Sequence, residues 1–299
     1  MCSYDLLILS LNDYYFCYKM DPLPFSTNTN DVISSKVSEP TLSIAHRYLP
    51  NDEQTINALS NYSLVITGTI GAGKSTVCES IAYNIKSLFP DMRIVAYPEF
   101  LFVKDCNLSG NILAAKINGS ISSNTLQSYI LDNWNHIMTQ NKDLRGFRLF
   151  ERCVDDCVTC FCNIENKAGA LSDSQFLSLY EELKKIDEHY DIPTYFNIGC
   201  RRESSSHFTK LYSNDLNYNL QKILSIISGD ILNGINKRII GLSILPKISK
   251  ERITVRSRNG ESGYTDEQIA IYSTHYEKLF DMLDRGERIN RFVDMGALL

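Results

Sequence analysis

Residues 68–75 have the types and the spacing that hold a polyphosphate. They fit the pattern GxxxxGK(S/T) within the stretch SLVITGTIGAGKST, residues 63–76. Glycines let successive backbone N–H groups point inward, and the loop opens at the positive end of a predicted helix. Lys74 would reach the outer phosphates, and the Ser75 hydroxyl would bind Mg²⁺. The pattern predicts a nucleoside triphosphate site, with a glycine-rich turn that holds no ligand as the alternative.

Short apolar runs alternate with longer helical patterns on both sides of this loop. An apolar run at 64–66 precedes it, and a helix is predicted at about 75–88. This alternation predicts an α/β fold, a parallel sheet with helices on both faces. Further strands are predicted at 93–96, 147–150 and 239–245, a weaker one at 195–198, and helices at 124–140, 172–189 and 266–285, with Asn124 as a helix N-cap.

Acidic residues follow two of the predicted strands. Glu99 comes after the strand at 93–96, and Glu151 and Arg152 come after the strand at 147–150. Ligands of parallel sheets bind at the carboxyl ends of the strands, so these side chains are expected near the phosphate loop. Arg256 and Arg258 lie in a later arginine-rich stretch and could close over phosphates as a lid. Together these groups favour phosphoryl transfer with Glu99 as base, against the alternative of ordinary surface charges.

Composition excludes several classes of protein. The 299 residues are 43% hydrophobic and 22% charged, as in an ordinary globular protein. A net charge of −5 argues against a nucleic-acid partner. No apolar run is long enough for a membrane span, and the N-terminus lacks the pattern of a secretory signal. We therefore expect an intracellular, cytoplasmic protein.

Nine cysteines, an odd number with uneven spacing, are expected to be reduced thiols. Four of them cluster at Cys153, Cys157, Cys160 and Cys162. Three of these fall on one face of a predicted helix, which favours packing against the sheet over zinc binding.

Two segments stand apart from the alternating pattern. Residues 1–60 are expected to form an extension that is partly disordered or docked, whose first apolar stretch could add a strand. Residues 61–299 are expected to form the main domain, with an insertion at about 191–237 of unassigned role. The sequence leaves the oligomeric state open, and a homodimer is common for enzymes of this size.

Five motifs carry a resemblance to a known family. GTIGAGKST, YPEF, LQSY, FERC and ERITVRSRNGE occur in this order between residues 64 and 282. Their order and spacing resemble those of the deoxyribonucleoside kinases, which include the cellular enzymes and the herpesvirus thymidine kinases. The chain is more similar to the cellular branch, because Glu151 stands where the viral motif usually starts with Asp.

The resemblance implies a P-loop kinase fold with an arginine-bearing lid. It also implies transfer of the ATP γ-phosphate, with Mg²⁺, to the 5′-hydroxyl of a deoxyribonucleoside. Glu99 resembles the base that takes the hydroxyl proton, and Arg152 the arginine that holds the 5′-oxygen. Glu151 is expected near Mg²⁺ together with Ser75. We assign ATP binding to Gly68, Gly71, Ala72, Gly73, Lys74, Ser75, Thr76, Arg256 and Arg258.

The nucleoside pocket is assigned from the same resemblance. Gln127 corresponds to the glutamine that pairs with the base edge, since an amide offers a donor and an acceptor together. Phe161 matches the aromatic residue that stacks on the base, and Glu261 the carboxylate on the 3′-hydroxyl. Ile130, Trp134 and Cys157 are expected to complete the pocket.

Departures from the family pattern affect substrate choice. No tyrosine lies between Tyr97 and Tyr129, where the family places a partner for the 3′-hydroxyl, and Thr254 replaces a lid arginine. Enzymes that prefer deoxycytidine place an Arg and an Asp at the positions of Trp134 and Cys157. Because neither residue here is charged, thymidine-led use of pyrimidines is expected.

Three other functions could use a phosphate loop of this kind. A GTPase would need an NKxD element, which fails because Leu144 stands at its last position. A thymidylate kinase shares the loop and the lid, and an inactive nucleotide-binding protein would keep the loop alone. Those two remain open from the sequence.

Overall fold

The computed structural model describes residues 8–11, 14–17, 42–99, 104–105, 108–199, 207–256 and 263–287. Within these residues, seven strands form one sheet in the order β1-β2-β4-β7-β3-β9-β8, and β5 pairs with β6 separately. The strands are β1 (Ile8–Leu11), β2 (Tyr14–Cys17), β3 (Ser63–Gly68), β4 (Ile94–Tyr97), β5 (Lys104–Asp105), β6 (Leu108–Asn111), β7 (Phe147–Glu151), β8 (Phe208–Tyr212) and β9 (Lys237–Ser243). From β2 to β8 all neighbours in the seven-stranded sheet are parallel, so the predicted α/β fold is confirmed.

The helices cover both faces of this sheet. They are α1 (Leu42–Ala45), α2 (Glu53–Leu59), α3 (Lys74–Leu88), α4 (Ile112–Ile117), α5 (Ser123–Asn141), a π-helix (Cys157–Cys162), α6 (Asn163–Lys167), α7 (Asp173–His189), α8 (Tyr195–Gly199), α9 (Leu216–Leu232), α10 (Pro246–Arg256) and α11 (Asp266–Asp284). No helix among the described residues has the length and apolar character needed to cross a lipid bilayer.

Strand β3 separates two apolar cores. All six of its residues are buried, as expected for a central strand of a parallel sheet. Val65 packs into a core formed with α5, α7 and α11, whereas Leu64 and Ile66 pack into a core formed with α3 and α9. Since successive side chains of a strand point to opposite faces, this one strand anchors helices on both sides of the sheet.

Side-chain caps set the starts of the long helices. Ser122, not Asn124 as predicted, caps α5 by accepting a hydrogen bond from the N–H of Thr125. Ser172 and Gln175 form a capping box at α7, and Thr265 and Gln268 form another at α11. Each cap satisfies N–H groups that a helix start leaves unpaired.

The segment at 191–237 contributes a strand, although not at the predicted place. Residues 195–199 are helical because the N–H of Tyr195 bonds to the buried carboxylate of Asp155, and Asn197 accepts from the N–H of Thr194. The strand is β8, which pairs in parallel with β9 and forms the edge of the sheet. Helix α9 connects the two strands.

The first sixty residues also add to the body. Strands β1 and β2 are antiparallel to each other, and β2 pairs in parallel with β4. Leu49 and Leu59 are buried in the same core as α3. The apolar start of the chain therefore supplies the strands at the other edge of the sheet.

The cysteine cluster is buried in the core. Cys153 and the thiols of the π-helix contact apolar side chains from α5, α7 and α11. The sequence predicted an α-helix at this position. Burial raises the pKa of the Cys153 and Cys160 thiols well above the usual range, so both remain protonated and pack as small apolar groups.

A buried ion pair joins α9 to β9, and breaking it should lower stability. Asp230 accepts hydrogen bonds from Tyr62 and from Arg238, whose Nε lies 2.9 Å from the carboxylate. Asp230→Ala would leave the buried Arg238 without compensation, so the free energy of unfolding should fall by about 3 kcal/mol in urea titrations. The matched control is Glu181→Ala in the exposed pair with Lys184, where a change below about 0.5 kcal/mol is expected. Equal changes in the free energy of unfolding for the two substitutions would contradict the assignment of Asp230 as the group that compensates the buried charge of Arg238.

Candidate active site

The phosphate loop is held in a conformation that requires glycine. Gly68 has a φ of 144°, and a Cβ there would lie 2.4 Å from the carbonyl oxygen of Leu242. Gly73 has a φ of 91° and immediately precedes α3. The loop therefore leads directly into the N-terminus of a fifteen-residue helix, where an anion is stabilised.

Lys74 lies buried beneath the loop. Its Nζ donates to the carbonyl oxygens of Gly68 and Thr69, at 3.3 and 3.1 Å. Burial, together with the neighbouring Arg152, lowers its pKa to about 8. Lys74 is thus positioned as a cation whose charge an incoming phosphate would stabilise.

Ser75 and Glu151 place two oxygens together beside the loop. The Ser75 hydroxyl donates to Oε1 of Glu151 at 2.6 Å. This contact joins the first turn of α3 to the carboxyl end of β7. Mg²⁺ prefers oxygen ligands and is commonly bound by one or two protein groups and substrate phosphates, so these two residues fit the predicted metal role.

Arg152 and Glu99 form a buried ion pair at the same edge of the sheet. The Nε and Nη2 of Arg152 lie 2.8 and 2.7 Å from Oε1 of Glu99. Nη1 donates to the carbonyl oxygen of Gly68 at 3.2 Å and to the hydroxyl of Tyr276 at 2.7 Å. The guanidinium thus connects the phosphate loop to the predicted base.

The backbone of Arg152 is strained. Its φ is 91°, the only positive value at a non-glycine position among the described residues. Such conformations cost about 1–3 kcal/mol and persist where surrounding contacts fix them. Here the N–H of Arg152 bonds to the carbonyl of Ile66 at 2.8 Å, and the guanidinium contacts described above hold the side chain.

Asp156 lies behind Arg152 and was not predicted as a site residue. It is fully buried and accepts hydrogen bonds from Thr67 at 2.6 Å and Tyr195 at 2.5 Å. Burial raises its pKa, an effect that the guanidinium of Arg152, 3.9 Å away, opposes. Its signal in the sequence was an acidic pair, Asp155 and Asp156, inside an otherwise apolar helical stretch.

A cavity opens between the Arg152–Glu99 ion pair and helix α5. Of the predicted substrate residues, Gln127, Ile130, Trp134, Cys157 and Phe161 line it together with Glu99, Glu151 and Arg152. The structure therefore brings these predicted residues to one place. Arg258 and Glu261 lie outside the described residues. The sequence did not identify eight further lining residues, of which four carry polar groups, Lys116, Glu165, Tyr264 and Tyr272.

The amide of Gln127 is oriented by its neighbours. Its Oε1 accepts from the Cys157 thiol at 3.1 Å, and its Nε2 donates to Oε2 of Glu165 at 3.4 Å. Lys116 holds the other oxygen of Glu165 at 2.6 Å. Because each end of the amide has a defined partner, the direction of its donor and acceptor toward the cavity is fixed.

Four aromatic rings line the cavity, those of Trp134, Phe161, Tyr264 and Tyr272, and Phe150 and Tyr97 pack behind Trp134. Trp134 stacks with Phe150 at 5.9 Å between ring centroids, and Phe150 stacks with Tyr97 at 4.3 Å. Phe161 packs against Tyr272, with the guanidinium of Arg152 at 5.1 Å from the Phe161 ring centre. The cavity is thus apolar and aromatic apart from the oriented amide and the ion pairs, as small-molecule sites usually are.

The chain matches no protein-family model and no curated protein. It is similar to a solved structure described as a deoxyadenosine kinase from M. mycoides with bound dATP, with 15% identity and a TM-score of 0.45. A second structure of the same kinase with products bound gives 15% identity and a TM-score of 0.43. Each match covers 79% of this chain and 94% of the other. At this level of similarity, function must be inferred from the residues of this chain.

The lowered pKa of Lys74 predicts a pH dependence of triphosphate binding. A bound triphosphate favours the charged ammonium, so affinity is fully present below a pH of about 8 and is lost as pH rises through that value. Affinity should fall up to about tenfold per pH unit above it. Isothermal calorimetry with ATP between pH 7 and pH 10 measures this.

Lys74→Arg is the matched control, because arginine keeps its charge over this whole range. The decline above pH 8 should disappear in this variant, whatever its absolute affinity. An unchanged decline would show that another group titrates.

Proposed function

We propose that this protein is a deoxynucleoside kinase that transfers the γ-phosphate of ATP to the 5′-hydroxyl of a deoxyribonucleoside. The observation that carries the proposal is the contact of Arg152 with both Glu99 and the carbonyl of Gly68. It places a candidate base next to the phosphate loop and at the rim of an aromatic cavity that suits a nucleobase. Phosphoryl transfer needs this arrangement of positioned hydroxyl, base and cations.

The chemistry follows from these positions. The 5′-oxygen forms a bond to the γ-phosphorus while the bond between that phosphorus and the β,γ-bridging oxygen breaks. The hydroxyl proton passes to the carboxylate of Glu99, and ADP leaves with the electron pair of the broken bond. Lys74, Arg152 and Arg256 balance the negative charge of the equatorial oxygens. Mg²⁺, which Ser75 and Glu151 would hold, supplies further charge neutralisation.

A nucleoside acceptor is favoured over a nucleoside monophosphate. A monophosphate kinase would need cations for the phosphate of its acceptor. Two cations line the cavity among the described residues: Lys116 is paired with Glu165, and Arg152 is assigned to the transferred phosphoryl group, so neither is left for a second phosphate. Comparing the rate of phosphorylation of thymidine with that of thymidine monophosphate distinguishes the two functions.

Thymidine-led use of pyrimidines remains part of the proposal. Trp134 and Cys157 are uncharged walls of the cavity, and the carboxylate of Glu165 is occupied by Lys116 and Gln127. The other two carboxylates of the described lining, Glu99 and Glu151, are engaged by Arg152 and Ser75, so we assign none of the three to the amino group of cytosine. We further propose a cytoplasmic enzyme, since five described cysteines are free thiols.

Removing the candidate base should slow turnover strongly but leave ATP binding unchanged. Glu99→Gln is expected to lower kcat by about 10²-fold or more, because the amide cannot accept the proton. Release of ADP with ATP, Mg²⁺ and each of the four deoxynucleosides measures it. Glu188→Gln, at an exposed position on α7, is the matched control and should behave as wild type. Unchanged turnover in Glu99→Gln would show that Glu99 is not the base. If the wild type bound ATP but formed no product, a nucleotide-binding protein without activity would be favoured.

The orientation of Gln127 predicts a second kinetic effect. In Glu165→Gln, Gln127 faces an amide that can present either a donor or an acceptor. The orientation of the Gln127 amide is then no longer fixed. The KM for the nucleoside should rise by about tenfold while the Kd for ATP is unchanged, the scale of one lost hydrogen bond. Steady-state kinetics and calorimetry measure the two constants. A rise in both would indicate a general loss of structure.

A further inference from the structure

The guanidinium of Arg152 has two separate sets of partners. Its Nε and Nη2 both lie against Oε1 of Glu99, at 2.8 and 2.7 Å, and Glu99 lines the aromatic cavity. Its Nη1 donates instead to the carbonyl oxygen of Gly68 at 3.2 Å and to the hydroxyl of Tyr276 at 2.7 Å. Oδ2 of Asp156 lies 3.9 Å from the same nitrogen. Two nitrogens therefore meet the candidate base, and the third meets groups that belong to other elements.

The proposed reaction makes different demands on these two sets. Glu99 accepts the proton of the 5′-hydroxyl, while Arg152 balances charge on the transferred phosphoryl group. Because the carboxylate of Glu99 becomes neutral when it takes the proton, its ion pair with Arg152 is lost at that step. The contacts of Nη1 do not involve Glu99, so they can persist. They would keep the guanidinium in place while the partner of Nε and Nη2 changes.

Asp156 is itself fixed by hydrogen bonds from three groups. It accepts from the hydroxyls of Thr67 and Tyr195, at 2.6 and 2.5 Å, and from the N–H of Cys153 at 3.2 Å. Burial raises the pKa of Asp156, but Arg152 and the two hydroxyls oppose the rise because they stabilise the carboxylate. Asp156 therefore supplies negative charge at a set position beside Nη1.

Tyr276 reaches Arg152 from helix α11. Its ring is buried and packs against Phe280 at 5.5 Å between ring centroids. Burial raises the pKa of Tyr276 well above the usual range, so the hydroxyl stays protonated and accepts the hydrogen bond from Nη1 through a lone pair. Because packing holds the ring, the position of this acceptor is also fixed.

We propose that Tyr276 and Asp156 are positioning residues that hold Nη1 of Arg152 in place during phosphoryl transfer. The proposal rests on the proposed function. Neither residue is among the described residues that line the aromatic cavity, so both act on the substrate only through Arg152. The strained backbone of Arg152 fits this role, because such a conformation persists only where surrounding contacts fix it.

Steady-state kinetics of ADP release test the proposal in the full chain. Tyr276→Phe removes one hydrogen bond and keeps the ring, and Asp156→Asn removes the charge and keeps the shape. Each should lower kcat about tenfold or more, the scale of a hydrogen bond to a charged group. The KM for the nucleoside should change by less than about twofold, since the contact matters when charge moves to the phosphoryl group. Wild-type kcat in both variants would overturn the proposal.

A second buried cluster supplies matched controls. Asp230 is bonded to Arg238 and Tyr62, the same three residue types, at the amino end of β3 and away from the phosphate loop. Asp230→Asn and Tyr62→Phe should lower the free energy of unfolding and leave kcat unchanged. The same pattern in Asp156→Asn and Tyr276→Phe would show that those residues are only structural.

Arg152→Lys tests whether the effects pass through the guanidinium. Lysine keeps the charge but lacks the planar fork of nitrogens. In this background, Tyr276→Phe and Asp156→Asn should lower kcat further by less than about twofold, because the group on which they act is gone. Losses as large as those in the wild-type background would overturn the proposal.

Nitrogen NMR of the Arg152 side chain tests the Nη1 contacts without turnover. A restrained guanidinium gives separate Nη1 and Nη2 signals, and rotation about the Nε–Cζ bond merges them. In Glu99→Gln, which imitates the protonated base, the two signals should stay separate. They should merge when Tyr276→Phe or Asp156→Asn is added, and Arg152→Lys identifies them by their loss.

Two NMR results would overturn the proposal. These are merged signals in Glu99→Gln alone, and separate signals in both double variants. Neither depends on phosphorylation of a nucleoside. If the wild type formed no product, the proposed function would be refuted, and the NMR signals would still show whether Tyr276 and Asp156 hold Arg152. If product formed at the wild-type rate in both single variants, only the positioning role would be refuted.

Discussion

The parallel pairing of β3 with β7 is the constraint on which the site depends. Its register sets Ile66 opposite Glu151, and the N–H of Arg152 continues the pairing to the carbonyl of Ile66. The phosphate loop and the Glu151–Arg152 pair therefore leave the sheet at the same level. Without this register, Ser75 could not reach Glu151, and the guanidinium of Arg152 could not reach Gly68. A shift of one residue would also send every side chain of the strand to the opposite face.

Burial makes the charges of this edge interdependent. Lys74 and Arg152 repel each other, and Glu99, Glu151 and Asp156 oppose that repulsion by stabilising the charge of Lys74. Breaking any one pair would leave a buried charge without a partner, which costs more than the pair contributes. This cluster lies at the point where a triphosphate would bring further negative charge. Burial lowers the pKa of Lys74 most and the neighbouring Arg152 adds to it, so an anion on the loop would stabilise the charged ammonium.

The sequence predicted the features that depend on local pattern. The phosphate loop, the strands beside it and the long helices are local, because glycine spacing and apolar period are encoded within a few residues. Lys116, Glu165 and Asp156 were missed because their roles depend on contacts between distant elements. The helix at Tyr195 was mistaken for a strand because a bond from its N–H to Asp155, forty residues away, decides its conformation. The position of β8 was missed because its pairing with β9 is a tertiary choice that periodicity does not encode.

The two sides of the sheet differ in how they are connected along the chain. Strands β4 and β7, on the side of β3 that carries Glu99 and Arg152, follow the phosphate loop in the sequence. On the other side β9 lies next to β3 and β8 forms the edge, although β8 precedes β9 in the sequence. Because Arg252 bonds to backbone carbonyls on both the loop and the insertion, it restrains the two parts without using their side chains. Arg252 can therefore hold the phosphate loop and the segment after β8 together whatever side chains stand at Ala72 and Asn214, whereas Asn219 uses its own side chain to bond the carbonyl of Ser213.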